Sequence, residues 1–345
     1  MSQHKRRLRH SSDTEPGYGR KRMGRYWAYF DQDGKRVTDR DTIDRLNAIG
    51  LPPAYDEAWF CKDGNGHLQA TGVDARGRKQ YRYHADYRQK RDAAKYEGLV
   101  EFGKSLPKLR RRVETDLKRR KLDRDTVLAA VVRLLDTEHI RIGSEQYAKD
   151  NKSFGATTLR SRHIRSKGNR MMMRFVGKSG IVHEVKITDT NLKRIVKRCQ
   201  ELPGQMLFQC INGDGEPEPI TSGDVNDYIR EASGGEFTAK HFRTWSASVI
   251  AFDQLLKKAE HARISVKTVV EPVAEALGNT VAISRKSYVH PLLLDAVKDD
   301  PRDPIDWLER PRARKRLSTA EVGLLDFLAR GGKPKRRKPR SPAAA

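Results

Sequence analysis

Four short stretches of this sequence gather side chains that can act on a phosphate ester. The first is Leu135-Asp136-Thr137-Glu138-His139-Ile140-Arg141-Ile142-Gly143, followed by Tyr147 and by Gly155-Ala156-Thr157-Thr158-Leu159. The second is Phe175-Val176-Gly177-Lys178, with His183-Glu184 after it. The third is Lys240-His241-Phe242-Arg243-Thr244-Trp245, and the fourth joins Leu277-Gly278-Asn279-Thr280 to Ser284-Arg285-Lys286-Ser287-Tyr288. Transfer of a phosphodiester needs an attacking group, donors around the developing oxyanion and a proton for the leaving oxygen. Arg, Lys, His, Asn and Tyr can supply all three without a metal ion or a nucleotide. The commoner signatures are missing from the chain: it has no Gly-rich P-loop, HExxH, paired Asp cluster or G-x-S-x-G elbow.

Each residue alone has a plainer reading. A tyrosine at the start of a helix usually packs, an arginine near a helix end answers the helix dipole, and a lysine in a glycine turn is solvated. His139, His163, His183, His241 and His290 have no metal-ligand spacing and read as packing or surface residues.

Composition supports a polyanionic partner. Among 345 residues, 70 Lys and Arg face 45 Asp and Glu, a net charge of +25. Such a field draws polyanions, and phosphate neutralisation with counterion release gives sequence-independent affinity for DNA or RNA. Charge alone also fits ribosomal association or an acidic membrane surface. The length suggests two domains, and 37% hydrophobic residues suffice for a core under a heavily charged surface. Cys61, Cys199 and Cys210 are scattered and odd in number, giving neither a disulfide framework nor a zinc pattern. No apolar h-region follows the basic N-terminus, and no apolar run could span a bilayer. The expectation is a soluble, cytoplasmic protein.

The elements that must position these residues fall into two groups. Residues 1–22 are polar and basic and read as a mobile arm. Over 25–37 an aromatic strand (Tyr26, Trp27, Tyr29, Phe30) is followed by the hairpin-type turn Asp33-Gly34, a short helix covers 41–49, and strands follow at 58–61 and 68–72. The turn Asp74-Ala75-Arg76-Gly77 leads to Arg78-Lys79-Gln80-Tyr81-Arg82-Tyr83-His84. These make a small, mainly β domain over 23–88. From there the pattern is helical: charged helices over 88–104 and 106–120, and an apolar one over 125–137. A β interruption at 171–176 and 181–187 turns at Gly177-Lys178-Ser179-Gly180. Further helices cover 189–201, 222–232, 239–258 and 266–277, and an apolar segment begins at Tyr288. This domain extends over 89–310. Residues 311–345 are a C-terminal extension with one amphipathic stretch (320–328) and a basic run over 333–340, read as a phosphate-binding tail.

Together, in order and spacing, the four strings resemble the catalytic domain of type IB DNA topoisomerases, in the compact poxvirus-like and bacterial subfamily. The Gly77-Arg78-Lys79-Gln80-Tyr81 run is similar to that subfamily's β-domain motif, so the resemblance covers about residues 25–300. It implies an α+β architecture: a small antiparallel β domain and a mostly helical catalytic domain of the tyrosine recombinase kind, closing as a clamp around duplex DNA. It implies Tyr288 as nucleophile, joined to the 3′ end of the cut strand, with Arg141 and Arg243 on the non-bridging oxygens. Lys178 would protonate the 5′ leaving oxygen. Asn279 stands where many relatives carry His, so it would donate one neutral hydrogen bond in a supporting role. Gln80 would read a base edge, while Tyr81, Tyr83, Tyr147 and Lys240 would contact DNA. The expected enzyme relaxes supercoils as a monomer without cofactor, metal or ATP, in a bacterial cytoplasm on the nucleoid. The rivals are a tyrosine recombinase and a non-enzymatic DNA-binding protein. Lys240 argues against the first, because recombinases usually place His three residues before the second arginine.

Overall fold

A computed structural model describes residues 7–168, 170–258 and 262–333. The chain divides into two compact units at Lys95/Tyr96, somewhat beyond the expected boundary at 88.

The first unit is built on a five-stranded antiparallel sheet. Its elements are β1 (Gly17–Met23), β2 (Tyr26–Phe30), α1 (Arg40–Ala48), β3 (Asp56–Cys61), β4 (Leu68–Val73), β5 (Lys79–Tyr83) and most of α2 (Ala85–Glu97), with strand order β2-β1-β3-β4-β5. Tyr29, Leu46, Leu51, Phe60 and Ala70 form its core under α1. The basic arm expected over 1–22 is correspondingly shorter, because β1 lies inside the sheet. Arg20 is pinned there: its guanidinium donates to Leu51 O at 2.8 Å and lies 4.5 Å over the Trp27 ring. Gly17 packs so closely on Trp59 that a Cβ there would fall 2.1 Å from the indole nitrogen. Even Ser11, upstream of β1, is buried, its hydroxyl donating to Leu68 O at 3.0 Å.

The second unit is mostly helical. α3 (Leu99–Leu117), α4 (Arg124–Thr137) and α5 (Glu145–Asn151) lead to a three-stranded sheet of β6 (Ile164–Lys167), β7 (Arg170–Val176) and β8 (Val182–Ile187), ordered β6-β7-β8. After α6 (Thr190–Gln200) and the small pair β9 (Gln209–Ile211) and β10 (Pro217–Pro219) come α7 (Ser222–Ser233), α8 (Ala239–Lys257) and α9 (Val266–Leu277). The unit closes with α10 (Val281–Ser287), α11 (Pro291–Asp299) and α12 (Thr319–Ala329). α3 runs straight through Pro107 instead of breaking near residue 105. Its buried stripe of Leu99, Phe102, Leu106, Leu109, Val113 and Leu117 continues across the proline, and that packing outweighs the proline's local cost. β6 escaped the sequence reading because only Ile164 of its four residues is buried. The segment after 310 is no appendage up to Ala329, since Val322, Leu324, Phe327 and Leu328 join the helical core. The basic run at 334–340 lies outside the described residues.

One buried ionic group ties α12 down. Arg110 donates to both oxygens of Asp136 at 2.8 Å and to both of Glu321 at 2.8 and 3.0 Å, and the Trp245 indole also donates to Glu321 at 3.0 Å. Burial pushes the Glu321 carboxyl up, but Arg110 outweighs it and holds the group below its usual range. A depressed carboxylate contributes stability above its unfolded pKa and loses it as pH falls through the folded value, so this joint weakens in acid. Arg110→Ala leaves two buried carboxylates without their shared cation and is expected to cost about 3–5 kcal/mol, read as a lower urea midpoint at neutral pH.

Candidate active site and nucleic-acid interface

Four of the five candidate catalytic side chains converge in the helical unit. Beyond α4 the chain turns through His139, whose φ of 54° lies in the left-handed region, and sends Arg141 along the chain segment at Gly155. Ala156 N–H donates to Arg141 O at 2.8 Å and Thr157 N–H to Ile142 O at 2.7 Å. A Cβ on Gly155 would lie 2.5 Å from Gly143 N, so the glycines in the first string permit this close crossing. The Arg141 guanidinium then donates to Asn279 Oδ1 at 2.9 Å.

Asn279 is held by a helix end. Gly278, at φ 57°, terminates α9 in a left-handed cap, and Asn279 N–H donates to Ala274 O at 2.9 Å. With Oδ1 facing the arginine, the amide NH2 is buried and has no hydrogen-bond partner. An unpaired buried donor of that kind is costly unless a ligand acceptor completes it.

Arg243 sits in the second turn of α8 and is only 5% exposed. It donates to His139 O and, at 2.9 Å, to Leu277 O, joining the exit of α4 to the end of α9. Its Nε is buried without a partner. Burial and then repulsion from Arg141 lower its pKa to about 10, which leaves it protonated at neutral pH.

Tyr288 caps the C-terminal end of α10, where its N–H donates to Ser284 O at 3.0 Å; it does not begin a helix as the sequence suggested. The Arg243 guanidinium carbon lies 5.2 Å from the centre of its ring. Burial raises the phenol's pKa, but the charges and hydrogen bonds of Arg243 and Arg141 outweigh burial and set it below the ordinary tyrosine value. The site thus sets a half-buried phenol beside two guanidinium groups, one of them bonded to an amide whose NH2 has no partner.

Lys178 is exposed in the β7–β8 turn, whose next two residues take left-handed φ values, 66° at Ser179 and 79° at Gly180. Together with Arg141, Gly143 and Phe154 it lines a cavity of about 220 Å³. Lys240 is exposed on the first turn of α8, three residues before Arg243. Tyr147 lies in α5, and its side chain is outside the described residues.

The remaining candidates belong to the first unit. Tyr81 and Tyr83 point outward from edge strand β5, 49% and 39% exposed, with their rings stacked at 6.1 Å. The alternative that they fill a core is therefore set aside. The aromatic strip extends further than alternation along β5 could indicate: Tyr83 meets Tyr87 at 5.5 Å, Tyr87 meets His67 at 4.8 Å, and His67 stacks on His10 at 4.2 Å. Gln80 is already engaged, donating to Asp74 Oδ2 at 2.9 Å. Hydrogen bonds from Arg78 first of all hold the Asp74 carboxyl down at about 2.

A second feature of the helical unit also went unread. Lys152, Arg162, Arg165 and Arg174 surround a cavity of about 380 Å³ walled by Phe154, His163 and Phe175. Arg174 pairs with Glu184 at 2.8 Å. Register places Arg174 and Glu184 opposite each other, and Arg165 opposite Met172, which puts these cations on one sheet face. The signal lay in the basic residues recurring from Arg160 to Arg174, which resemble any solvated surface until the strands are paired.

A family model for the catalytic core of eukaryotic DNA topoisomerase I matches residues 84–290, and one for the bacterial DNA topoisomerase IB N-terminal domain matches residues 26–74. The chain is 31% identical over 313 residues to DNA topoisomerase 1B of Acanthamoeba polyphaga mimivirus, an alignment spanning 85% of this chain and 93% of the viral protein. It is 24% identical over 291 residues to DNA topoisomerase 1B of Vaccinia virus (strain Copenhagen), spanning 79% and 90%. A solved XerH site-specific recombinase bound to its difH substrate overlaps 53% of this chain and 49% of its own at a TM-score of 0.32 and 17% identity, too slight a likeness to bear on function. The chain belongs to the type IB DNA topoisomerase family, whose members are isomerases acting on DNA.

Proposed function

We propose that this enzyme relaxes supercoiled duplex DNA by cutting one strand with Tyr288. The phenol gives up its proton to solvent, its oxygen attacks the scissile phosphorus, the bond to the 5′ oxygen breaks, and a 3′-phosphotyrosyl ester forms. Lys178 gives its proton to the departing 5′ oxygen. Arg141 and Arg243 neutralise the non-bridging oxygens, since a planar guanidinium holds two oxygens at once, and the unpaired Asn279 amide donates to the same oxyanion. The ester stores an energy close to that of the original bond, so religation needs no ATP. Between the two steps the free 5′ end swivels about the intact strand. The observation that carries this reading is the meeting of Arg141, Arg243 and Asn279 beside one half-buried phenol. Purified protein should relax a negatively or positively supercoiled plasmid in EDTA without ATP; failure to do so would set the reading aside.

Duplex contacts follow from the same proposal. Tyr81, Tyr83 and Lys240 would meet the backbone, as would Tyr147, and Gln80 would exchange Asp74 for a base edge. The enzyme would act as a monomer in the cytoplasm, on nucleoid DNA. The four-cation cavity beside Phe154 suits a backbone phosphate. In Arg162→Ala/Arg165→Ala the dependence of log K on log[salt] should become shallower by about 0.9 for each phosphate left without its cation. Single-turnover cleavage by enzyme already bound should hardly change, and measuring both across a salt series checks the assignment.

A further inference from the structure

His183 occupies a joint between two of the site's turns. It lies on β8 directly across the ladder from Phe175, and the two rings stack at 5.0 Å with 13° between their planes. On one side the imidazole abuts Gly177, the residue before Lys178. A Cβ there would fall 2.7 Å from both Cδ2 and Nε2. On another side it abuts Gly278, the residue before Asn279, where a Cβ would fall 3.1 Å from Cε1. The backbone of each turn is thus in contact with one ring, and any side chain at either glycine would push it away.

We infer that His183 is a positioning residue that sets the Lys178 turn against the Asn279 turn. The inference rests on the reading of Lys178 as proton donor. Within the turn, Gly177 N–H donates to Ile181 O at 2.7 Å and Gly180 N–H to Gly177 O at 3.2 Å; beyond it, Val176 O accepts from Phe154 N–H at 2.8 Å and Ile181 Cγ2 lies near Gly278, so the His183 ring is the contact that reaches both glycines. Ile181 and Val182 flanking it are exposed. The contacts of His183 with Gly177 and Gly278 link the turn to the oxyanion donors. Burial first, then the charges of Arg243 and Arg141, hold the imidazole below its usual pKa. The wedge is therefore a neutral ring that can press on bare backbone without adding a third cation. A shift of about 1 Å in a reacting group can cost on the order of 10² in rate, so a loosened turn should be visible in the chemistry.

The test reads which step suffers. His183→Ala should slow single-turnover cleavage of an ordinary phosphodiester by roughly 10- to 100-fold, with duplex affinity near that of the parent. A substrate with a 5′-bridging sulfur leaves without a proton and should restore the rate. Gly177→Ala disturbs the same contact from the other side. Its φ of −91° suits alanine, so it should show the same sulfur-rescued defect even if the His183 variant folds poorly. Lys178→Ala is the reference. Rescue of Lys178→Ala with no rescue of His183→Ala and Gly177→Ala would overturn the inference and spare the Lys178 assignment. Parental rates in both variants would do the same. Failure of sulfur to rescue Lys178→Ala would remove the proton-donor reading and this inference with it.

Discussion

Tyr288→Phe should abolish plasmid relaxation while folding and duplex binding persist. The substitution removes one oxygen and leaves the ring under the Arg243 guanidinium, where its packing and cation–π contact are unchanged. The proposed nucleophile is taken away together with its hydrogen bonds to the arginines, and the ring that remains cannot attack phosphorus. The phenol's lowered pKa gives the parent enzyme a larger ionised fraction at a given pH than a free tyrosine would have. Gel relaxation together with a binding isotherm checks the prediction, and relaxation at a comparable rate by the Phe variant would show that Tyr288 is the wrong residue.

Arg243→Ala is the second change expected to have a large effect, for two reasons. In the proposed role it withdraws a fixed donor from the oxyanion, worth roughly 10²–10³ in rate for donors of this kind. It also releases the His139 and Leu277 carbonyls that Arg243 holds, which frees the segments carrying Arg141 and Asn279. Cleavage should fall by at least that factor, and a 5′-bridging sulfur should not restore it, because the deficit lies in charge stabilisation. Arg243→Lys should recover only part of the loss. An ammonium keeps the charge but cannot span two carbonyls and a phosphate in one plane. Single-turnover rates on both substrates decide the matter; sulfur rescue equal to that of Lys178→Ala would refute the division of roles.

Much of this site was legible in the sequence because its parts sit in short strings whose order is distinctive. Their meeting was not. Arg141 and Asn279 are 138 positions apart, and nothing local says that one amide oxygen caps the other's guanidinium, leaving the NH2 open. The burial of Arg243 was hidden too, since its neighbours Thr244, Ser246 and Ser248 are polar yet buried with it on α8. His183 was visible as part of the second string but read as packing. Its significance comes from two glycines about a hundred residues apart in sequence, Gly177 and Gly278, meeting the same ring.

In the first unit, periodicity placed α1 and β3 to β5 nearly where they lie, because alternation and turn residues agreed there. It failed at β1, where the Gly-Arg-Lys composition suggests a solvated arm. Arg20 is instead absorbed by tertiary partners, Leu51 O and the Trp27 ring. Alternation put Tyr81 and Tyr83 on one face of β5 but could not say which face was wet. The register settles it: Arg82 stands opposite Ala70 of the core, so the tyrosines lie on the other, exposed face.

The central claim is a covalent bond between Tyr288 and the 3′ end of a cut strand. A nicked duplex that loses its 5′ fragment after cleavage would trap that state, and proteolysis with mass spectrometry would locate the attached nucleotide. The expected product is a single adduct on the peptide containing Tyr288, joined through a 3′-phosphate, with a free 5′-hydroxyl on the released fragment. An adduct on another residue, or one joined through a 5′-phosphate, would contradict it.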